Sequence, residues 1–127
     1  MRIEESPETT LSSRSFVAYI NRAKEDSYTI NLIYYWLDSV ELAIARVKNR
    51  VAEGGHHIPT DIIIRRYHAG LKNFINLYKE KVDYWMVVDN SKTEPELIAE
   101  GIAGVPFQVQ NLEKWTIMNK LIENETN

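Results

Sequence analysis

Apolar residues recur at spacings of three and four from Leu11 onward. Leu11, Phe16, Tyr19, Ile20 and Ala23 fall on one side of a helical wheel, with Ser15 among them. The spacing predicts a first helix from residue 11 to about 26, capped by Thr9 or Thr10. Residues 28–37 (YTINLIYYWL) are rich in β-branched and aromatic side chains and almost continuously apolar. That pattern predicts a strand buried on both faces, as in a parallel sheet. Asp38, with Glu41 three residues on, opens a second helix in the manner of a capping box. Val40, Ala43, Ile44, Val47 and Val51 form its apolar stripe, and Gly54-Gly55 end it, glycine accepting the left-handed cap conformation.

A third helix is expected from Pro59 or Thr60 to about residue 81. Its inward residues are Ile63, Tyr67, Leu71, Phe74, Ile75 and Tyr78. Residues 84–88 (YWMVV) form a second apolar strand, followed at once by Asp89-Asn90-Ser91. Short apolar stretches at 97–99 and 107–109 flank Gly101 and Gly104 and predict an antiparallel hairpin. Residues 112–122 form a closing helix with Trp115, Met118 and Leu121 or Ile122 inside. Apolar strands joined by helices predict a single α/β domain with a partly parallel sheet. In such sheets ligands collect at the carboxyl ends of strands, here Asp38-Ser39 and Asp89-Asn90-Ser91.

Composition narrows the functional classes. The 127 residues contain no cysteine, which excludes disulfides, thiolate metal sites and a cysteine nucleophile. Fifteen basic residues stand against eighteen acidic ones, a net charge of −3 that gives no global pull towards nucleic acid. No apolar run reaches the ~18 residues of a membrane span, and the polar N-terminus lacks the apolar centre of a signal peptide. A cytoplasmic protein that binds neither nucleic acid nor membrane is expected.

The densest chemistry lies between Arg46 and Tyr67 (RVKNRVAEGGHHIPTDIIIRRY). Arg46 and Arg50 are four apart and share a helix face, while Arg65 and Arg66 sit early in the next helix. Folding at Gly54-Gly55 would bring the four guanidinium groups towards one another. Their forks suit phosphate oxygens. Spacing alone leaves a second reading open, a solvated basic face with ion pairs. His56-His57 is read as a turn rather than a metal site, because adjacent imidazoles rarely aim at one ion. His68 is expected to face solvent. Tyr34, Tyr35, Trp36, Tyr84 and Trp85 are read as core aromatics within strands.

The same stretch resembles the zeta-toxin-like group of P-loop kinases, described in bacteria as predicted ABC-type ATPases. The resemblance runs from Glu8 to Ser91. It is carried by Glu8-Thr9-Thr10-Leu11-Ser12, the strand ending Trp36-Leu37, Ser39-x-Glu41-x-Ala43, and Arg46-Val47 with Arg50-Val51. Gly54-Gly55-His56, Ile58-Pro59, Arg65-Arg66-Tyr67 and Asp89-Asn90-Ser91 follow in the same order. Residues 92–127, the hairpin and closing helix, lie outside it. The resemblance implies a partial P-loop kinase-like sheet carrying a helical lid. It implies ATP and Mg²⁺ as ligands and lid arginines at Arg50, Arg65 and Arg66 that stabilise a transferring phosphoryl group. Arg46 would be a further lid arginine, on the cofactor-binding side. Glu8 would lie beside the active site as a catalytic carboxylate, although its own position favours an exposed acid or helix-start residue. Asp89, Asn90 and Ser91 would lie near the nucleotide base.

The chain departs from that group in two ways. None of its five glycines belongs to a GxxxxGK[ST] loop, the element that cradles nucleotide phosphates. Ile64 stands where many relatives show a third arginine. The resemblance therefore implies a shortened, lid-bearing C-terminal part of a phosphotransferase, inactive alone. The alternative expectation is a non-catalytic interaction module. A second copy of the chain, a separate P-loop-bearing half, or an antitoxin would be its partner.

Overall fold

A computed structural model describes residues 10–124. The described residues form four helices, α1 (Phe16–Glu25), α2 (Val40–Ala52), α3 (Thr60–Asn76) and α4 (Leu112–Asn124), and four strands, β1 (Asn31–Trp36), β2 (Tyr84–Asp89), β3 (Glu96–Ile102) and β4 (Gln108–Val109), in the order α1-β1-α2-α3-β2-β3-β4-α4. The sheet order is β1-β2-β3-β4. β1 and β2 run parallel, with Asn31 beside Tyr84 and Trp36 beside Asp89. β3 and β4 follow antiparallel, so the expected mixed sheet and C-terminal hairpin are present. α2 and α3 together form the crossover between the parallel pair.

One face of the sheet carries the core. Leu71, Phe74 and Ile75 of α3, Met118 and Ile122 of α4 and Ile20 of α1 pack with Trp36, Trp85, Val87, Ile98 and Ala99. Tyr34 stacks on Phe74 with ring centroids 4.8 Å apart. Trp85 and Trp115 stack at 6.0 Å, Phe107 leans on both, and Lys79 Nζ lies 4.6–5.4 Å from the three ring centres. Burial lowers the pKa of that ammonium.

The opposite face is open at Ile33, Tyr35 and Ile102, which are 47%, 57% and 59% exposed. This corrects the expected two-faced burial of the first strand. β1 is an edge strand, and alternate residues along it are exposed.

The first helix begins five residues later than the periodicity predicts. Leu11 has φ 58°, outside helical space, yet its side chain is buried. Long-range contacts hold this segment: Asn73 Nδ2 donates to Leu11 O at 2.7 Å and Tyr78 OH to Ser13 O at 2.6 Å. Thr10 O presses so closely on Gly70 that a Cβ there would lie 2.4 Å from it. Thr10 Oγ1 donates to Ser12 Oγ rather than capping a helix. α3 also stops early, at Asn76, and the chain turns through one 3-10 turn at Tyr78–Glu80.

α2 ends as expected. The N–H of Gly55 bonds to Arg50 O at 2.7 Å and that of Gly54 to Val51 O at 3.0 Å, a Schellman motif with Gly54 at φ 104°. Its start differs. Ser39, not Asp38, is the N-cap, and its hydroxyl accepts the Leu42 N–H at 3.2 Å. The extended backbone of Ser39 places its short side chain over the first turn.

Candidate functional site

The carboxyl ends of β1 and β2 lie side by side, because parallel pairing sets Trp36 against Asp89. Asn90 N–H donates back to Trp36 O at 2.8 Å, tying the two ends together. The next residue completes the tie. Ser91 Oγ accepts the Asp38 N–H at 2.9 Å and donates to Asp89 Oδ1, which also accepts the Ser91 N–H at 2.9 Å.

Asp89 is only 4% exposed. Lys114 of α4 approaches its other oxygen to 2.6 Å and reaches Glu96 Oε1 at 2.6 Å. Asn111 Nδ2 holds the second oxygen of Glu96 at 2.9 Å, and Asn111 Oδ1 accepts the Lys114 N–H. Burial pushes the Asp89 pKa up, but hydrogen bonds from Lys114 and Ser91 outweigh it and hold the carboxyl below its usual range. The hydrogen bonds to Asp89 and Glu96 hold the Lys114 ammonium well above its ordinary value. Both oxygens of Asp89 are thus engaged, and the carboxylate organises the strand end rather than standing ready as a base.

Above this floor lies Tyr67 of α3, whose hydroxyl donates to Leu37 O at 2.6 Å. Burial pushes its pKa up to about 12. The nearby Trp36 indole opposes that rise, while the charges of Asp38, Glu41 and Asp89 add to it. Trp36 Nε1 is buried near the Tyr67 hydroxyl and makes no hydrogen bond among the described residues. His68 is half-buried, with its ring 5.2 Å from Tyr67, where a solvent-facing residue was expected.

The arginines divide. Arg46 reaches the strand ends and donates to Ser91 O at 3.3 Å. Arg50 lies one turn further along the same face of α2 and is exposed. Arg65 and Arg66 are exposed at the start of α3. On a helix, Arg65 lies about 200° around from Tyr67, turned away from the strand ends. Among the described residues none of these three forms an ion pair. Glu8, and Thr9 with it, lies outside the described residues.

His56 and His57 are exposed, and no group of three or more His, Cys, Asp or Glu able to hold a metal occurs among the described residues. Tyr35 is exposed rather than core. Sequence reading missed Lys114, Glu96 and Asn111. Their partners lie 15 to 25 residues away, so no local spacing marks them.

The chain is 42% identical over 60 residues to a protein of Haemophilus influenzae that carries only the description "Uncharacterized protein". The match takes in 47% of the chain and 43% of that protein, so the chain spans less than half of the relative's length. No family model matches, and no solved structure gives a significant match. No helix among the described residues is long and apolar enough to cross a membrane.

Proposed function

We propose that the chain is the lid-bearing part of an ATP-dependent phosphotransferase of the zeta-toxin-like kind, acting in the cytoplasm. One arrangement supports this reading. A two-helix crossover bearing Arg50, Arg65 and Arg66 leaves the carboxyl end of β1, which lies beside that of the parallel β2, and Arg46 pins it there through Ser91. That end of a parallel sheet is where ligands collect.

The residues present fit part of the ligand. Exposed guanidinium groups on α2 and α3 suit phosphate oxygens supplied from outside. They do not fit Mg²⁺, because Lys114 and Ser91 engage both oxygens of Asp89. The metal and the main phosphate cradle would come with a P-loop that this sequence does not contain, so the chain alone binds nucleotide weakly and turns none over.

Calorimetric titration with ATP, with and without Mg²⁺, tests this. Weak, salt-sensitive binding that the combined R50A/R65A/R66A substitution removes is the expected result, with no hydrolysis. Absence of binding, or binding indifferent to those substitutions, overturns the phosphate reading. Hydrolysis lost on Arg65→Ala overturns the view that this sequence, without a GxxxxGK[ST] loop, turns over no nucleotide.

A second reading, a non-catalytic interaction module, is favoured by a different observation. β1 leaves one edge unpaired among the described residues, and none of its six side chains carries a charge.

A further inference from the structure

We infer that β1 is the dimerisation edge of this chain, pairing antiparallel with β1 of a second copy about a twofold axis at Tyr34. The inference rests on the interaction-module reading and is independent of phosphoryl transfer.

Backbone direction sets the register. The carbonyls of Ile30 and Trp36 accept hydrogen bonds from the β2 segment, at 3.2 Å from Tyr84 N and 2.8 Å from Asn90 N. N–H and C=O groups alternate sides along a strand, so the even-numbered residues of β1 serve β2. Asn31, Ile33 and Tyr35 turn theirs to the open edge. An axis at Tyr34 sets Ile33 opposite the copy's Tyr35, and Tyr35 opposite the copy's Ile33. Both pairs then exchange N–H···O=C bonds.

The side chains agree with that register. Ile33 and Tyr35 are 47% and 57% exposed on the face turned away from the core. The axis makes two aromatic-to-β-branched cross-strand contacts of the kind that stabilise sheets. Charge agrees as well. Soluble proteins commonly guard an edge strand with lysine or proline, and β1 (NLIYYW) has neither. Beyond the strand, Asp38 falls opposite the copy's Ile30, so the pairing sets no like charges against each other. An isologous contact needs such self-complementarity. The product is one eight-stranded sheet.

The test is sedimentation of the full chain over a range of micromolar concentrations, with hydrogen exchange at the Ile33 and Tyr35 amides. The expected result is a dimer whose Ile33 and Tyr35 amides lose protection on dilution, and which the I33K/Y35K variant converts to monomer. Ile33→Pro removes one outward N–H while sparing the bonds to β2, and should also give monomer. Circular dichroism confirms that both variants remain folded. A wild-type monomer with unprotected edge amides overturns the dimer and leaves the edge open to another partner. Edge amides protected at every dilution in a monomer overturn both the dimer and the interaction-module reading. A dimer indifferent to both variants places its contact elsewhere and overturns the inference.

Discussion

Lys114 and Asp89 are 25 residues apart in sequence, and the ammonium of one lies 2.6 Å from the carboxylate of the other. The contact fastens α4 to the end of the central parallel pair. Replacing Lys114 by Met leaves a buried carboxylate with Ser91 as its remaining partner. Lys114 is a quarter exposed, so the expected loss is about 2 kcal/mol, below the ~3–5 kcal/mol of a fully buried broken pair. Urea unfolding of the variant measures it.

The same cluster sets a pH dependence. Asp89 and Glu96 have pKa values below their ordinary 3.8 and 4.5 when folded. Groups depressed on folding contribute stability above the unfolded pKa and lose it as pH falls through the folded one. Lys114, raised above 10.5, contributes below that value and loses its contribution only as pH rises beyond it. Stability should therefore fall on acidification through and below the carboxylate range. Thermal melts at stepped pH should show that slope reduced in the Lys114→Met variant.

Gly70→Ala reverses an ordinary rule. In a helix interior alanine is favoured over glycine by about 1 kcal/mol. At Gly70 the added methyl would sit 2.4 Å from Thr10 O, a backbone atom that cannot rotate away. The substitution should destabilise by about 1–3 kcal/mol, as overpacking does. Calorimetry would show a lowered melting temperature.

The arginines separate by the same kind of measurement. Arg46→Ala removes a hydrogen bond to Ser91 O and should cost about 1 kcal/mol. Arg65→Ala and Arg66→Ala alter exposed side chains without ion pairs among the described residues, and should stay within about 0.5 kcal/mol. Stability measured beside ATP titration then distinguishes a structural arginine from ones held for a ligand.

What the sequence made legible was whatever is encoded locally. α2 closes at Gly54-Gly55 because the left-handed turn is a property of those two residues. The parallel pair and the hairpin follow from apolar runs and their punctuation. Leu11 shows the limit. It fits the helical period, yet Asn73, Gly70 and Tyr78, about sixty residues on, hold its segment outside a helix. β1 shows another. An apolar run states that a strand is hydrophobic but not whether a layer covers each side, and no such layer covers Ile33 and Tyr35 among the described residues. At the strand ends, Asp89 and Ser91 stood out by position. Lys114, which engages Asp89, came from a helix with no distinguishing motif.

Trp85 and Trp115 stack at 6.0 Å with their planes 17° apart, one on β2 and the other on α4. Two indoles that close lie within coupling range as chromophores, and any exciton signal between them requires α4 to be seated on the sheet. Trp36, the third indole of the chain, pairs with neither. Near-ultraviolet circular dichroism of the pair would therefore follow the seating of a single helix, separately from how much helix the molecule contains.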